Sequence, residues 1–296
     1  MQPLRTLLFV PGHRASWVDK AISAGVDGII LDLEDSVPTS LKAEGRAEVA
    51  RTVTRLRDEG STVSVFVRPN PLDTGLTGDD IESVVIPGLS GLALPMLTGR
   101  DDVVRYESLV TRYELKNGVE PGSIEFICDL ETAESYAACE EIAKASPRVA
   151  TLFAGTARDA DVSRSIGFTF SPTGEETLYL RSRAVLACRA NGLNHPLVGI
   201  WQDLNDDEGA KQFSLSNRAL GFKGQVLIHP AHAKIANEVF TPSKAEVDFY
   251  RRMIDAFEIS ENAGAAAVSF EGMHVDYAHV KTAREIVRYA QNFDQL

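Results

Sequence analysis

Carboxylates stand at the ends of several short apolar runs in this sequence. GIILDLED ends in Asp32, Glu34 and Asp35, IEFICDLE carries Asp129 and Glu131, and FAGTARDAD holds Asp159 and Asp161 beside Arg158. Arg68 and Asn70 close VSVFVRPN, and His229 closes QVLIHP. Singly, each has a bland reading: an acid after a strand caps the next helix, an arginine pairs with a nearby acid, a histidine before proline packs its ring. Gathered at one place, the carboxylates would repel one another unless a cation sat among them. Oxygen ligands without a Cys/His cluster suit Mg²⁺ or Mn²⁺, which keep waters that a substrate can displace. An arginine in the same place would hold the oxygens of an anionic substrate.

The runs themselves supply the means of gathering. They span 5–10, 28–33, 62–67, 91–96, 124–130, 149–153, 196–200 and 225–228, rich in Val, Ile, Leu or Phe and without clean alternation. Strands buried on both faces of a parallel sheet read this way. Helical patterns lie between them at 16–24, 40–59, 100–116, 132–145, 174–190 and 206–220. Strand–helix alternation implies an α/β fold, and eight units imply a closed (β/α)8 TIM barrel, whose active sites lie at the C-terminal ends of the strands. A doubly wound open sheet competes, but no GxGxxG follows the first run.

Beyond the eighth run the pattern changes. Helices are expected at 232–238, 242–258 and 278–292, a loop at 262–267, and a short strand or extended segment at 268–275. We therefore read 1–240 as the catalytic barrel and 241–296 as a C-terminal helical extension at a subunit interface. The apolar faces around 247–257 and 283–289 could pack on another protomer; the competing reading is a capping arm folded over its own barrel.

The chain has 296 residues, 44% of them hydrophobic and 24% charged, enough for a core of ordinary size. A net charge of −12 argues against nucleic acid or an anionic membrane as partner. Cys128, Cys139 and Cys188 form no CxxC pair and read as buried thiols of a reducing compartment. The apolar start MQPLRTLLFVPG is too short for a signal peptide, so the cytoplasm is the expected location.

RTLLFVPG, GIILDLEDSV with Lys42 and Arg46 downstream, FVRPN, DLETAES, the acidic loop after the sixth run and HPAH…NEVFTPS together resemble the citrate lyase β-subunit family of the HpcH/HpaI aldolase superfamily. The resemblance implies a (β/α)8 barrel, Mg²⁺ (or Mn²⁺) and a thioester of CoA or a carrier protein. It places the metal carboxylates on Glu131 and Asp161, with Asp159 as competitor, and the substrate-binding arginine on Arg68. It places a catalytic acid on Asp276, often delivered across a subunit interface, and sets Asp32, Glu34, Asp35, Lys42 and Arg5 among the residues lining the site. With an extension that the barrel itself does not need, this leads us to expect a homo-oligomer, a trimer or hexamer. Met96 stands where a lysine is common in the family, and Val275-Asp276-Tyr277-Ala278 replaces the usual IDxP.

The activity so implied is cleavage of a carbon–carbon bond in a 3-hydroxyacyl thioester such as malyl-, citramalyl- or citryl-CoA. Arg68 would hold the enolate charge and Asp276 would take the hydroxyl proton. Three rivals use the same residues: an acyl-CoA thioesterase, an aldolase of free 2-oxo acids, and a non-catalytic acyl-CoA-binding subunit.

Overall fold

The computed structural model describes residues 1–293. Eight strands, β1 (Thr6–Pro11), β2 (Gly28–Asp32), β3 (Ser64–Arg68), β4 (Gly91–Leu94), β5 (Glu125–Leu130), β6 (Val149–Gly155), β7 (Leu197–Gly199) and β8 (Gly224–Leu227), form a closed parallel barrel in sequence order. Each expected run holds one strand, with ends shifted by a residue or two. The helices between them are α1 (Val18–Ser23), α2 (Lys42–Asp58), α3 (Thr77–Val84), α4 (Arg100–Asn117), α5 (Ala133–Ala137), α6 (Cys139–Ala143), α7 (Asp161–Ile166), α8 (Leu178–Ala190) and α9 (Asp207–Leu220). After β8 come α10 (Ala233–Phe240), α11 (Lys244–Asn262), the antiparallel pair β9 (Ala267–Phe270) and β10 (Met273–Asp276), and α12 (Tyr277–Ala290).

One inward side chain from each strand fills the barrel: Leu7, Ile30, Phe66, Ala93, Ile127, Phe153, Leu197 and Val226. Side chains alternate along a strand, so the residue two places on also points inward, one layer nearer the C-terminal mouth. That next layer carries Phe9, Asp32, Arg68 and Asp129. The polar mouth is therefore set by the same alternation that builds the apolar plug beneath it.

The chain divides into two compact units, Met1–Glu238 and a second from Val239 onward. In the second, Met253 and Phe257 of α11, Phe270, Val275, and Val280 and Ala283 of α12 make a core of their own. From those helix faces Met253, Phe257 and Ala283 pack on each other and on the β9–β10 hairpin. The extended segment at 268–275 is that hairpin. The three cysteines are buried free thiols. Among the described residues no helix is long and apolar enough to cross a membrane.

Candidate active site

Asp32 and Arg68 are register partners on neighbouring strands. Arg68 Nε donates to Asp32 Oδ1 and Nη2 to Oδ2, both at 2.8 Å. The remaining edge, Nη1, lies 2.8 Å from Glu34 Oε2 and 3.8 Å from Glu131 Oε1. Beneath the guanidinium is the Phe9 ring, 4.6 Å from its centroid, a contact that favours a cation. Asp32 also accepts the N–H groups of Glu34 and Ser36, which turns the chain after β2. Lys42 reaches back from α2 to the carbonyl oxygens of Leu33 and Glu34, at 2.6 and 2.7 Å. The β2 loop is thus pinned from both sides.

Glu131 follows β5 directly. Thr132 caps α5 through a capping box with Ser135, and its hydroxyl donates to Leu97 O, which fixes the backbone at Glu131. A Cβ on Gly155 would stand 2.9 Å from Leu130 O and 3.6 Å from Glu131 Cγ, so only glycine leaves that approach open. Met96 has a left-handed backbone, φ 50°, and its N–H points at Glu131 Oε2 from 3.4 Å.

The mouth holds more carboxylate than Arg68 can neutralise. Burial pushes Glu34 up to about 8, with Glu131, Asp35 and Asp32 adding to the rise against the pull of Arg68. Burial likewise raises Glu131, with Asp161 and Asp35 adding to it, and raises Asp129 strongly with the help of Glu131. Burial works against Asp32 too, but Arg68 more than offsets it and holds that carboxyl below the ordinary range. Both oxygens of fully buried Asp129 lack a hydrogen-bond partner among the described residues. An all-oxygen donor set with surplus negative charge fits a hard divalent cation. No group of three or more acidic, His or Cys side chains converges as a ready metal cage among the described residues. Two carboxylates with water and substrate in the remaining positions satisfy such an ion.

The structure thus brings together Asp32, Glu34, Arg68, Asp129 and Glu131, with Asp161 close enough for its charge to act on Glu131. Asp161 opens α7 and pairs with Arg164, whereas the Asp159 side chain is 93% exposed. Asp35 is exposed at the rim. Asn70 is buried and held by Asp80, a structural role. His229 caps the turn after β8.

Arg5 is a correction. It precedes β1, at the opposite end of the barrel from the carboxylates, and its guanidinium binds Asp27 just before β2. It cannot line the mouth. Asp32 and Lys42 reach the site region, but the contacts just described fasten Arg68 and the β2 loop rather than leave free groups for substrate. Asp276 lies in the second unit, at the N-cap of α12. Phe9, Gly155 and the Met96 amide were not singled out from the sequence. Phe9 had a signal, since it lies two places after the core residue Leu7, but a main-chain donor such as that of Met96 has none.

The model of the HpcH/HpaI aldolase/citrate lyase family matches residues 5–230. The L-malyl-CoA/beta-methylmalyl-CoA lyase of Cereibacter sphaeroides is 33% identical over 98% of this chain and 95% of its own. The citrate lyase subunit beta of Escherichia coli K12 is 31% identical over 97% and 93%. In fold the chain is similar to the CitE protein of Mycobacterium tuberculosis solved with magnesium, acetoacetate and coenzyme A. That match has a TM-score of 0.74 and 24% identity over 98% of both chains.

Proposed function

The chain belongs to the HpcH/HpaI aldolase/citrate lyase family, and we propose that it is a magnesium-dependent carbon–carbon lyase acting on a 3-hydroxyacyl thioester. The relatives named as malyl-CoA and citrate lyases support this reading. The observation that carries it is Arg68, clamped edge-on by Asp32 with its Nη1 edge turned to Glu34 and Glu131.

We assign the ion to Glu131 and Asp161, where Mg²⁺, or Mn²⁺ in its place, would act as a Lewis acid on the oxygens of a bound acid. Arg68 presents its Nη1 edge to the substrate and holds the charge that develops on the departing enolate. Its plane is fixed beforehand by Asp32 and Phe9, so little reorganisation is needed as that charge forms. Asp276 takes the hydroxyl proton. In the reverse direction the same groups run a Claisen-type addition. We further propose a homo-oligomer, a trimer or hexamer, in which 241–296 lies at the interface and carries Asp276 to a neighbour's site. Three free buried thiols favour a reducing compartment such as the cytoplasm.

The test is a screen of malyl-, citramalyl- and citryl-CoA with Mg²⁺, together with free 4-hydroxy-2-oxo acids, following keto acid and thiol separately. Cleavage of a thioester that releases a keto or oxo acid without free thiol supports the lyase. Thiol release with no such acid identifies a thioesterase, turnover of free acids alone an aldolase, and binding without turnover a carrier subunit. Each of those three outcomes overturns the proposal.

A further inference from the structure

Asp276 is held in a way that a helix cap alone does not require. Its Oδ1 accepts the N–H of Ala278 at 3.0 Å and of His279 at 3.3 Å, and lies 2.6 Å from His279 Nδ1. Two other helices open on capping boxes of ordinary composition, Thr132 with Ser135 and Ser243 with Glu246. In those, an oxygen three places in accepts the N–H of the cap residue. At α12 that place is taken by His279, whose Nδ1 is 3.3 Å from the Asp276 N–H as well as 2.6 Å from its carboxylate. One ring nitrogen cannot accept the first and donate the second. A solvent-exposed aspartate is ionised at neutral pH and can then only accept hydrogen bonds, and its contact with Nδ1 is the shorter of the two. The proton in the short contact therefore sits on Nδ1, and the imidazole serves the carboxylate rather than the backbone. Helix electrostatics gives no other reason for it, since a group that can become cationic is disfavoured in a first turn.

We propose that His279 is a positioning residue for Asp276: its Nδ1–H anchors Oδ1 and leaves Oδ2 to take the substrate's hydroxyl proton. This rests on the reading of Asp276 as the proton acceptor. On cleavage the substrate O–H bond breaks and its proton passes to Oδ2. The O–H electron pair becomes the new carbonyl bond as the carbon–carbon bond breaks, and the pair from that bond stays on the enolate. Oδ1 remains bound to His279 throughout, so the carboxylate keeps its aim.

The test compares His279→Ala, His279→Asn and Asp276→Asn in the full-length protein, using the thioester turned over in the screen. His279→Ala should lower kcat by roughly tenfold, the worth of one charge-assisted hydrogen bond, with little change in KM. His279→Asn, which keeps an N–H donor where Nδ1 stands, should recover most of that loss, while Asp276→Asn is inactive. Independently of any substrate, ¹⁵N spectra of the wild type should show the proton on Nδ1, with the signal moving in Asp276→Asn. An Nε2–H tautomer would overturn the proposal. So would wild-type kcat in His279→Ala beside an inactive Asp276→Asn, which leaves Asp276 as the base without His279. Equal losses of kcat and Tm in both His279 variants would reduce the residue to a helix cap. Full activity of Asp276→Asn would remove the base reading itself.

Discussion

Asp32 and Arg68 face each other across two adjacent parallel strands and share two hydrogen bonds of 2.8 Å. The pair is a fork-to-fork contact, so it fixes the plane of the guanidinium as well as its charge. Arg68→Lys keeps the charge and loses the plane. It should lower kcat/KM by on the order of 100-fold, the cost of a misplaced group at the reacting centre. Asp32→Asn should do similar damage without itself touching substrate, because it releases the Nε–Nη2 edge. Wild-type kinetics in Arg68→Lys would return the residue to the role of a structural ion pair.

Glu131 and Asp161 are the carboxylates assigned to the ion. Glu131→Gln should abolish Mg²⁺ binding, read by calorimetric titration, and turnover with it, while leaving the fold and Tm near those of the wild type. Asp161→Asn should follow it, whereas Asp159→Asn should not, since the Asp159 side chain is 93% exposed. Normal titration in Glu131→Gln would sink the assignment, and the reverse order of the two aspartates would move the ligand to Asp159.

At the other end of the barrel, Glu114 and Arg148 form a buried pair at 2.5 Å, with Glu114 also accepting the N–H groups of Gly122 and Ile124. Glu114→Gln leaves the Arg148 charge without its partner and should cost about 3–5 kcal/mol of unfolding free energy. Burial would raise the Glu114 carboxyl, but the Arg148 and backbone hydrogen bonds more than offset it and hold it below the ordinary value. The sign follows from that: the unfolded chain binds the proton first as pH falls. The stabilisation is therefore complete above the unfolded value of about 4.3 and is lost as pH falls through the lower folded value. Urea unfolding should show the gap between wild type and Glu114→Gln narrowing from neutral pH to pH 3. A gap that stays constant would contradict the pairing.

The barrel was legible because its strands are buried on both faces and so read as unbroken apolar runs. Asp129 and Glu131 stood out for the same reason, as charges where the pattern asks for apolar groups. Other features were hidden. The helix Thr77–Val84 is short, carries Gly78 and three acids, and looks like the loop it follows. The helix expected at 132–145 breaks at Ala138 into two. Arg5 was set at the mouth because a motif records neighbours in sequence, while strand direction decides which end of the barrel they occupy. The partnership of Asp32 with Arg68 joins positions 36 residues apart, and residue types do not state who pairs with whom.

The second unit uses Met253, Phe257, Val280 and Ala283 for its own core, so the proposed interface would be built from what remains exposed, including Ile259 at 73% and Met273 at 42%. If Asp276 serves a neighbour's barrel, Asp276→Ala and Glu131→Gln proteins are each inactive alone but complementary together. Separated, mixed and reassembled, they should form oligomers in which some sites hold an intact Glu131 from one protomer and an intact Asp276 from the other. A measurable part of the wild-type rate should return, in proportion to the fraction of mixed oligomers. Ile259→Glu, at an exposed position of α11, should weaken assembly and lower the rate at low protein concentration, where the wild type still holds together. A fully active monomer, or no recovery after mixed assembly has been verified, would instead place Asp276 over its own barrel.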